Sequence, residues 1–204
     1  MMRRPLRWIS KTAGALLLAA CAHAPQSVSG TDTPYVIVVR HAEKAPTPAN
    51  DPVLSVAGMA RAAALDSVIG GQLVRDVVVS HLQRTKLTAS VFIARASPVV
   101  HIVPIGAAGT AAHVQAVADT VRAIARRRGR GGILVVGHSN TVTQIVTALG
   151  VAAPAELCDS QYSQLFRVAV PAAAQAVLTR RTYGAADPAD GTCVQSQPGM
   201  LHKR

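Results

Sequence analysis

Aromatic side chains are scarce in this chain, since Phe, Trp and Tyr make up only 3% of its 204 residues. Proteins that bind single-stranded nucleic acid stack bases on such side chains, so we expect no nucleic-acid partner. Acidic residues are also few: 10 Asp and Glu stand against 21 Lys and Arg, which gives a formal net charge of +11. A surface this basic attracts anionic lipids or phosphorylated substrates.

Long apolar runs are absent beyond the N-terminal region, which argues against a membrane-spanning helix elsewhere in the chain. Half of the residues are nevertheless hydrophobic, which is enough for one domain with a sizeable core. We see no internal repeat and no second domain. The sequence therefore predicts a single folded domain over residues 34–204.

The first residues have the pattern of an export signal. Residues 1–20 carry basic residues, then a short apolar run, and they lead directly to Cys21. The segment LAAC at residues 18–21 resembles the bacterial lipobox, which implies that Cys21 is lipidated and that residues 21–33 form a tether. The protein would then lie on the periplasmic side of the bacterial envelope, anchored to the membrane. The alternative is cleavage after Ala24, which would give a soluble periplasmic or secreted protein.

Cysteine is rare, with only three residues in the chain. In an oxidising compartment Cys158 and Cys193 can form a disulfide bond, which we expect. The alternative is two unpaired thiols. The chain has no cluster of His and Cys at the spacing of metal ligands, so we predict neither a metal site nor a cofactor.

Strand and helix patterns alternate along the rest of the chain. This alternation predicts a three-layer α/β/α sandwich with a largely parallel central sheet. The predicted strands cover residues 35–39, 76–80, 99–105, 133–136, 164–170 and 176–182. The predicted helices cover residues 54–69, 83–95, 111–128 and 141–149. We expect the last two strands to pair with each other.

Polar side chains follow three of these strands at their carboxyl ends. Arg40 and His41 follow the first strand, Ser80 and Arg84 the second, and His138 the fourth. Open α/β sheets bind ligands at this edge. The planar fork of Arg suits phosphate oxygens, and one imidazole can attack phosphorus while another donates to an oxygen. The sequence therefore predicts a site for metal-independent phosphoryl transfer.

Three segments resemble, in order, the motifs of the histidine phosphatase superfamily, which includes the cofactor-dependent phosphoglycerate mutases. They are VRHAE at residues 39–43, SHLQRTKLTA at residues 80–89 and VGHSNTV at residues 136–142. The segment LSVAGMARA at residues 54–62 is similar to the helix start between the first two motifs. The resemblance implies a phosphoglycerate mutase-like fold. In the first motif, Ala42 stands where the family usually has a glycine, and the residue remains small.

The resemblance also implies roles for individual residues. His41 would be phosphorylated transiently, and Arg40, Arg84 and His138 would hold the phosphoryl group until water releases it as phosphate. Apart from the resemblance, we expect Asn140 to be a capping or supporting group at the substrate-binding edge. The implied activity is the hydrolysis of phosphomonoesters, on small molecules or on envelope components.

The acid that would protonate the leaving group is missing from the expected places. No Asp or Glu lies between Arg84 and Asp119, and none directly follows the second histidine. General acid catalysis contributes about 10²–10⁴-fold, so this absence restricts substrates or slows turnover. Glu43 and Asp159 are candidates that the sequence does not place. A mutase is disfavoured, and the remaining alternative is a catalytically weak phosphate- or phosphoglycan-binding lipoprotein.

Two further features stay open. His81 stands where the motif usually has Asp, and it is another candidate proton donor. The basic run at residues 126–130 is typical of a solvated helix end, with contact to anionic lipid headgroups as the alternative. The other histidines, including His113, have no supporting partners in the sequence, and we expect structural or exposed positions for them.

Overall fold

A computed structural model describes residues 33–152, 154–170 and 175–188 of the protein. The predicted signal peptide, Cys21 and Cys193 lie outside the described residues. Within the described part of the chain, no helix is both long and apolar enough to cross a bilayer.

The elements follow one another in the predicted order. The strands are β1 (Tyr35–Arg40), β2 (Val74–Val79), β3 (Val99–Ile102), β4 (Gly132–Gly137), β5 (Gln164–Ala169) and β6 (Val177–Thr182). The helices are α1 (Val56–Ile69), α2 (Gln83–Ala96), α3 (Gly109–Arg128) and α4 (Val142–Ala148). The predicted boundaries differ from the observed ones by at most three residues. The largest difference is at β3, which ends at Ile102 and not at residue 105.

The six strands form one sheet in the order β3-β2-β4-β1-β5-β6. The strands from β3 to β1 pair in parallel, whereas β5 pairs antiparallel with β1, and β6 pairs antiparallel with β5. The prediction of a largely parallel sheet, with the last two strands paired, is confirmed. Arg40 lies opposite Gly137 in the β1–β4 register, so the residues that follow these two strands emerge side by side.

The core consists of two layers, one on each face of the sheet. Alternate residues of β1 and β4, such as Val38 and Val135, pack with the apolar faces of α3 and α4. The residues between them, such as Val39 and Val136, pack with α1 and α2. Because helices cover both faces, all six residues of β1 and of β4 are buried. This arrangement confirms the three-layer sandwich.

The turn from β1 into α1 is tied closely to the start of the helix. Ser55 is the N-cap, and its hydroxyl accepts a hydrogen bond from the amide of Gly58 at 3.1 Å. The carbonyl of Glu43 accepts the amide of Ser55 at 2.9 Å. A Cβ at Gly58 would lie only 2.2 Å from that same carbonyl. The glycine therefore permits the helix to approach the chain that follows β1.

Candidate active site

The two arginines and two histidines predicted at the strand ends converge at one edge of the sheet. Arg40, His41 and His138 are only 3%, 4% and 6% exposed. The rings of His41 and His138 lie edge to face, with centroids 5.4 Å apart. The side chain of Arg84 enters from α2, and it is 17% exposed. These four side chains together line a pocket with two guanidinium groups and two imidazoles.

His41 is oriented by hydrogen bonds at both its backbone and its ring. Its amide donates to the carbonyl of Gly137 at 2.9 Å. Its Nδ1 lies 2.8 Å from the carbonyl oxygen of Ala42. Because a carbonyl can only accept, Nδ1 carries the proton and Nε2 keeps its lone pair.

Burial lowers the pKa of His41 to about 3, against the opposing effect of the Ala42 carbonyl. The neighbouring side chains of His138, Arg40 and Arg84 also lower this pKa. The imidazole is therefore neutral at pH 7. A neutral ring with a fixed Nδ1 proton has the form that a nitrogen nucleophile needs.

The residue after His41 is held by α2. The amide of Ala42 donates to Oγ1 of Thr88 at 2.8 Å, and that hydroxyl donates to the carbonyl of Arg84 at 2.7 Å. Ala42 is fully buried. This chain of bonds joins the end of β1 to the helix that carries Arg84, and Thr88 is the link between them.

His138 is fixed in a comparable way. Its amide donates to Oγ1 of Thr141 at 2.9 Å, and its Nε2 lies 3.1 Å from Oγ of Ser80. Ser80 in turn contacts Oγ1 of Thr85 at 3.0 Å. Burial lowers the pKa of His138 to about 3, with Arg84 the strongest of the neighbouring charges that add to this effect. The ring is neutral in the free protein, and a bound anion would favour its protonation.

Arg40 is anchored by the segment that precedes β5. Its Nη1 donates to the carbonyls of Cys158 and Asp159 at 2.9 Å and of Gln161 at 3.0 Å. Its guanidinium carbon lies 4.0 Å from the centre of the Tyr162 ring, a cation–π contact. Burial lowers the pKa of Arg40. Tyr162 was not predicted as a site residue, because nothing local in the sequence connects it with Arg40.

The anchoring segment is itself held by a residue near the end of the described chain. The carboxylate of Asp187 accepts the amides of Tyr162 and Ser163 at 2.8 Å, and it accepts the Ser163 hydroxyl at 2.6 Å. Burial would raise the pKa of Asp187, but these hydrogen bonds outweigh burial and lower it. Asp187 therefore positions Tyr162 against Arg40.

Two buried N–H groups face no protein acceptor. Nε of Arg40 and Nε of Arg84 have no hydrogen-bond partner within the described residues. An unsatisfied buried donor costs about 1–3 kcal/mol, which an oxygen atom of a bound anion would recover. Since both donors belong to the guanidinium groups of this pocket, the arrangement suits a tetrahedral oxyanion such as a phosphoryl group.

Three carboxylates lie near the pocket. Glu43 is bound by Arg61, with distances of 2.7 and 3.0 Å between their charged atoms. The Asp159 side chain is 85% exposed, with its carboxylate 3.7 Å from Nη2 of Arg40. Asp51 lies 4.0 Å from Nη1 of Arg84 and accepts the amide of Gln83 at 2.9 Å. Sequence reasoning missed Asp51, because the loop that carries it has no motif pointing to α2.

A third histidine lies close to the pair. His113, on α3, is buried, and its ring centroid lies 6.4 Å from that of His138. Its Nδ1 lies 3.3 Å from the carbonyl of Pro104, and burial lowers its pKa. His113 lies four residues before Val117 and eight before Val121, on the buried face of α3. This helical spacing is the sequence signal that could have predicted a buried His113.

The other predicted residues occupy more peripheral positions. His81 is exposed, and its Nδ1 accepts the amide of Ile105 at 3.2 Å. Asn140 is exposed at the start of the turn into α4, and its role in substrate binding stays a prediction. Cys158 takes part in a disulfide bond. The pairing with Cys193 stays a prediction, because Cys193 lies outside the described residues.

The described residues include no group of three or more His, Cys, Asp or Glu side chains placed to hold one metal ion. The positive charge of the pocket comes from the guanidinium groups of Arg40 and Arg84, which lie beside the two neutral imidazoles. Fixed positive groups of this kind can stabilise charge that develops on a phosphoryl group.

Comparison with known proteins finds similarity in solved structures only. No protein-family model and no curated protein matches the sequence. The protein histidine phosphatase SixA, complexed with tungstate, superposes with a TM-score of 0.56 at 20% identity, covering 72% of this chain and 96% of SixA. Phosphoserine phosphatase from Entamoeba histolytica superposes at 0.55 and 15% identity, covering 75% of this chain and 98% of the other. Alpha-ribazole phosphatase from Shigella flexneri superposes at 0.54 and 16% identity, covering 74% and 96%. These likenesses show that the chain has the fold of histidine phosphatases.

Proposed function

We propose that this protein is an exported phosphatase that hydrolyses phosphomonoesters without a metal ion, through a phosphohistidine intermediate on His41. The observation that carries the proposal is the His41 ring. Its Nδ1 is held by the Ala42 carbonyl at 2.8 Å, its pKa is lowered to about 3, and it lies beside the buried His138. Nε2 is thus an uncharged nucleophile inside a pocket built for an anion.

The similar structures support the same chemistry. SixA is a protein histidine phosphatase solved with tungstate, a tetrahedral oxyanion like phosphate, and another similar structure is a phosphoserine phosphatase. In this chain Arg40, Arg84 and His138 form a pocket for such an anion. A phosphorylated small molecule or a phosphorylated envelope component fits that pocket as substrate.

In the first step, Nε2 of His41 attacks phosphorus. The N–P bond forms as the ester P–O bond breaks, and the leaving oxygen departs with the bonding electrons and takes up a proton from solvent water. The hydrogen bond from Nδ1 to the Ala42 carbonyl stabilises the positive charge that develops on the ring. Arg40, Arg84 and His138 stabilise the phosphoryl oxygens.

In the second step, water attacks phosphorus from the side the leaving group vacated. The O–P bond forms, the N–P bond breaks, and its electron pair returns to Nε2. The water loses a proton, and inorganic phosphate leaves. The neutral ring is thereby restored for the next cycle, since the low pKa of His41 disfavours its protonation.

The leaving group determines how well the first step proceeds. Glu43 is engaged with Arg61, and Asp159 projects into solvent. Neither is arranged as a dedicated acid, and such an acid contributes about 10²–10⁴-fold. We therefore expect faster turnover of aryl phosphates than of alkyl phosphates, because aryl oxygens leave with little help from a proton.

The test is hydrolysis of p-nitrophenyl phosphate by the chain starting at Ala22, which retains the whole described fold. The assay contains a chelator, and His41→Ala is measured beside the parent chain. Turnover that resists the chelator and disappears in the variant supports the proposal. Turnover that persists in His41→Ala would refute a nucleophilic role for this residue.

A second candidate is a phosphate- or phosphoglycan-binding envelope lipoprotein with weak catalysis. The hydrogen bonds from Arg61 to the Glu43 carboxylate favour it, because they occupy a carboxylate that could otherwise act as the acid. Calorimetric titration with inorganic phosphate distinguishes the two candidates. Binding that depends on Arg84 and His41, without turnover of the aryl ester, would favour the second.

The proposed location also has a direct test. We propose lipidation at Cys21 and attachment on the periplasmic side of the bacterial envelope, because residues 18–21 resemble a lipobox. Metabolic labelling with a fatty acid should mark the full chain and not Cys21→Ala. Release of unlabelled protein, cut after Ala24, would instead support a secreted or soluble periplasmic protein.

A further inference from the structure

The edge of the sheet opposite the histidine pocket carries a cluster of exposed arginines. We define the amino-end patch as Arg75, Arg126, Arg127, Arg130 and Leu73, all of which are exposed. Within this patch, Arg126 and Arg127 lie at the end of α3, and Arg130 lies in the turn that follows. Leu73 and Arg75 lie at the start of β2.

The backbone brings these two segments together with the start of the fold. The amide of Gly132 donates to the carbonyl of Leu73 at 2.7 Å, so the turn after α3 lies against the start of β2. The amide of Tyr35 donates to the carbonyl of Gly131 at 3.1 Å. The described chain therefore begins, at residue 33, close to the amino-end patch.

The positive charge of the patch is not neutralised within the described residues. Asp76 is bound by Arg128 at 3.0 Å and by His101 at 2.9 Å. Asp66 is bound by Arg95 at 2.8 Å. None of the four patch arginines forms an ion pair in the described part of the chain. Among the described residues, this end of the sheet therefore has more positive side chains than its carboxylates neutralise.

Stabilisation of the helix end explains only part of this charge. Cations are favourable near a helix C-terminus, and Arg126, Arg127 and Arg128 all lie in the last turn of α3. The amide of Gly129 donates to the carbonyl of Ala125 at 2.9 Å, which closes that turn. Arg75 and Arg130 lie outside the helix and add exposed charge at the same end. Leu73, 49% exposed, adds an apolar side chain at the same end.

We propose that the amino-end patch binds the surface of a membrane containing anionic phospholipids. Exposed arginines attract such a surface at about 1 kcal/mol each, and an adjacent leucine can enter the headgroup region. The sheet strands would then stand away from the membrane, with the His41 pocket about 20 Å further out, since a six-residue strand has that length. The binding depends neither on lipidation of Cys21 nor on catalysis.

The test uses the chain starting at Ala22, without a lipid, and vesicles of phosphatidylglycerol mixed with phosphatidylcholine. The patch variant combines Arg126→Gln and Arg127→Gln. The control combines Arg180→Gln and Arg181→Gln, two exposed arginines of β6 near the other end of the sheet. Both variants lose the same net charge. Circular dichroism and the urea unfolding midpoint of each chain verify that it is folded.

We expect the patch variant to bind vesicles roughly 30-fold more weakly than the parent, which corresponds to about 1 kcal/mol per arginine. The control should lose much less affinity. Binding to pure phosphatidylcholine should be weak for all three chains. Equal losses in both variants, or unchanged affinity of the patch variant, would overturn the proposal, and neither result depends on whether the pocket is catalytic.

Discussion

The two ends of the sheet use arginine in opposite ways. At the carboxyl end, Arg40 is buried, and its orientation is fixed by three carbonyls and by Tyr162. At the amino end, Arg126 and Arg127 are exposed and have no ion-pair partner among the described residues. The first arrangement selects a small anion by geometry, whereas the second attracts an extended anionic surface by charge.

The two arrangements differ because a buried charge and an exposed charge interact with a ligand at different strengths. Burial strengthens electrostatic interaction with a ligand, and it penalises any donor left without an acceptor. An exposed guanidinium is screened by water and salt, so only several together have a measurable effect. Residues of one type therefore serve two kinds of ligand, according to the element that carries them.

The largest expected effect concerns Arg84. We expect Arg84→Ala to lower kcat for p-nitrophenyl phosphate by about 10²–10³-fold, because one fixed donor to the phosphoryl oxygens is lost. Arg180→Ala, an exposed arginine on β6, is the matched control and should retain activity. Steady-state kinetics provides the measurement. Comparable losses in both variants would mean that net charge, rather than geometry, governs the pocket.

The next effect concerns stability beneath the pocket. Arg61 is buried and bound to Glu43, whose side chain is 24% exposed. We expect Arg61→Met to lower the free energy of unfolding by about 2–3 kcal/mol, less than for a fully buried pair. Arg95→Met breaks the more exposed pair with Asp66 and should have a smaller effect. Urea unfolding compares them, and an equal loss in both would contradict the role of burial.

A smaller effect depends on pH. Asp187→Asn removes a charged acceptor from Tyr162 and Ser163, and we expect a loss of about 1–2 kcal/mol at neutral pH. Because the pKa of Asp187 is lowered in the folded state, its contribution is complete above the unfolded value of about 3.9. That contribution then disappears as pH falls through the folded pKa. Urea unfolding of both chains at neutral pH and near pH 3 measures the difference.

On acidification the two unfolding curves should therefore converge. A gap that stays constant or widens between neutral and acidic pH would show that the Asp187 carboxylate does not act through its charge.

The smallest effect concerns salt. Inhibition of the phosphatase by inorganic phosphate should weaken only a few-fold as sodium chloride is raised, because the pocket guanidinium groups are largely shielded from solvent. Vesicle binding by the amino-end patch should weaken far more over the same range. Parallel titrations on one protein preparation compare the two ends directly. An equal salt dependence would remove the distinction between them.

Most of the fold was predictable because its signals are local. Runs of β-branched residues marked β1 and β4, and the apolar spacing of α3 marked a long helix. The placement of Arg40, His41 and His138 followed from the strand ends alone, since parallel strands bring their carboxyl ends together. β3 was predicted three residues too long: the amide of Val103 still donates to the carbonyl of Val79 at 2.9 Å, but Pro104 follows and has no amide to continue the ladder.

The supporting residues of the pocket were not predictable in this way. Tyr162 contacts Arg40 from more than a hundred residues away, and Asp187 acts on Arg40 only by holding Tyr162. Asp51 reaches Arg84 from a loop without regular structure. Such contacts depend on how loops fold over the sheet edge. His113 was expected to lack partners, yet it lies beside His138 because α3 turns that face toward the sheet.

The central claim is that His41 carries the phosphoryl group, and trapping the intermediate tests it most directly. The chain starting at Ala22 is mixed with a radiolabelled aryl phosphate, quenched rapidly in alkali and digested for mass spectrometry. The account predicts a label on Nε2 of His41 that is stable to alkali and labile to acid, and no label in His41→Ala. Turnover without this label, or a label on another residue, would contradict the account.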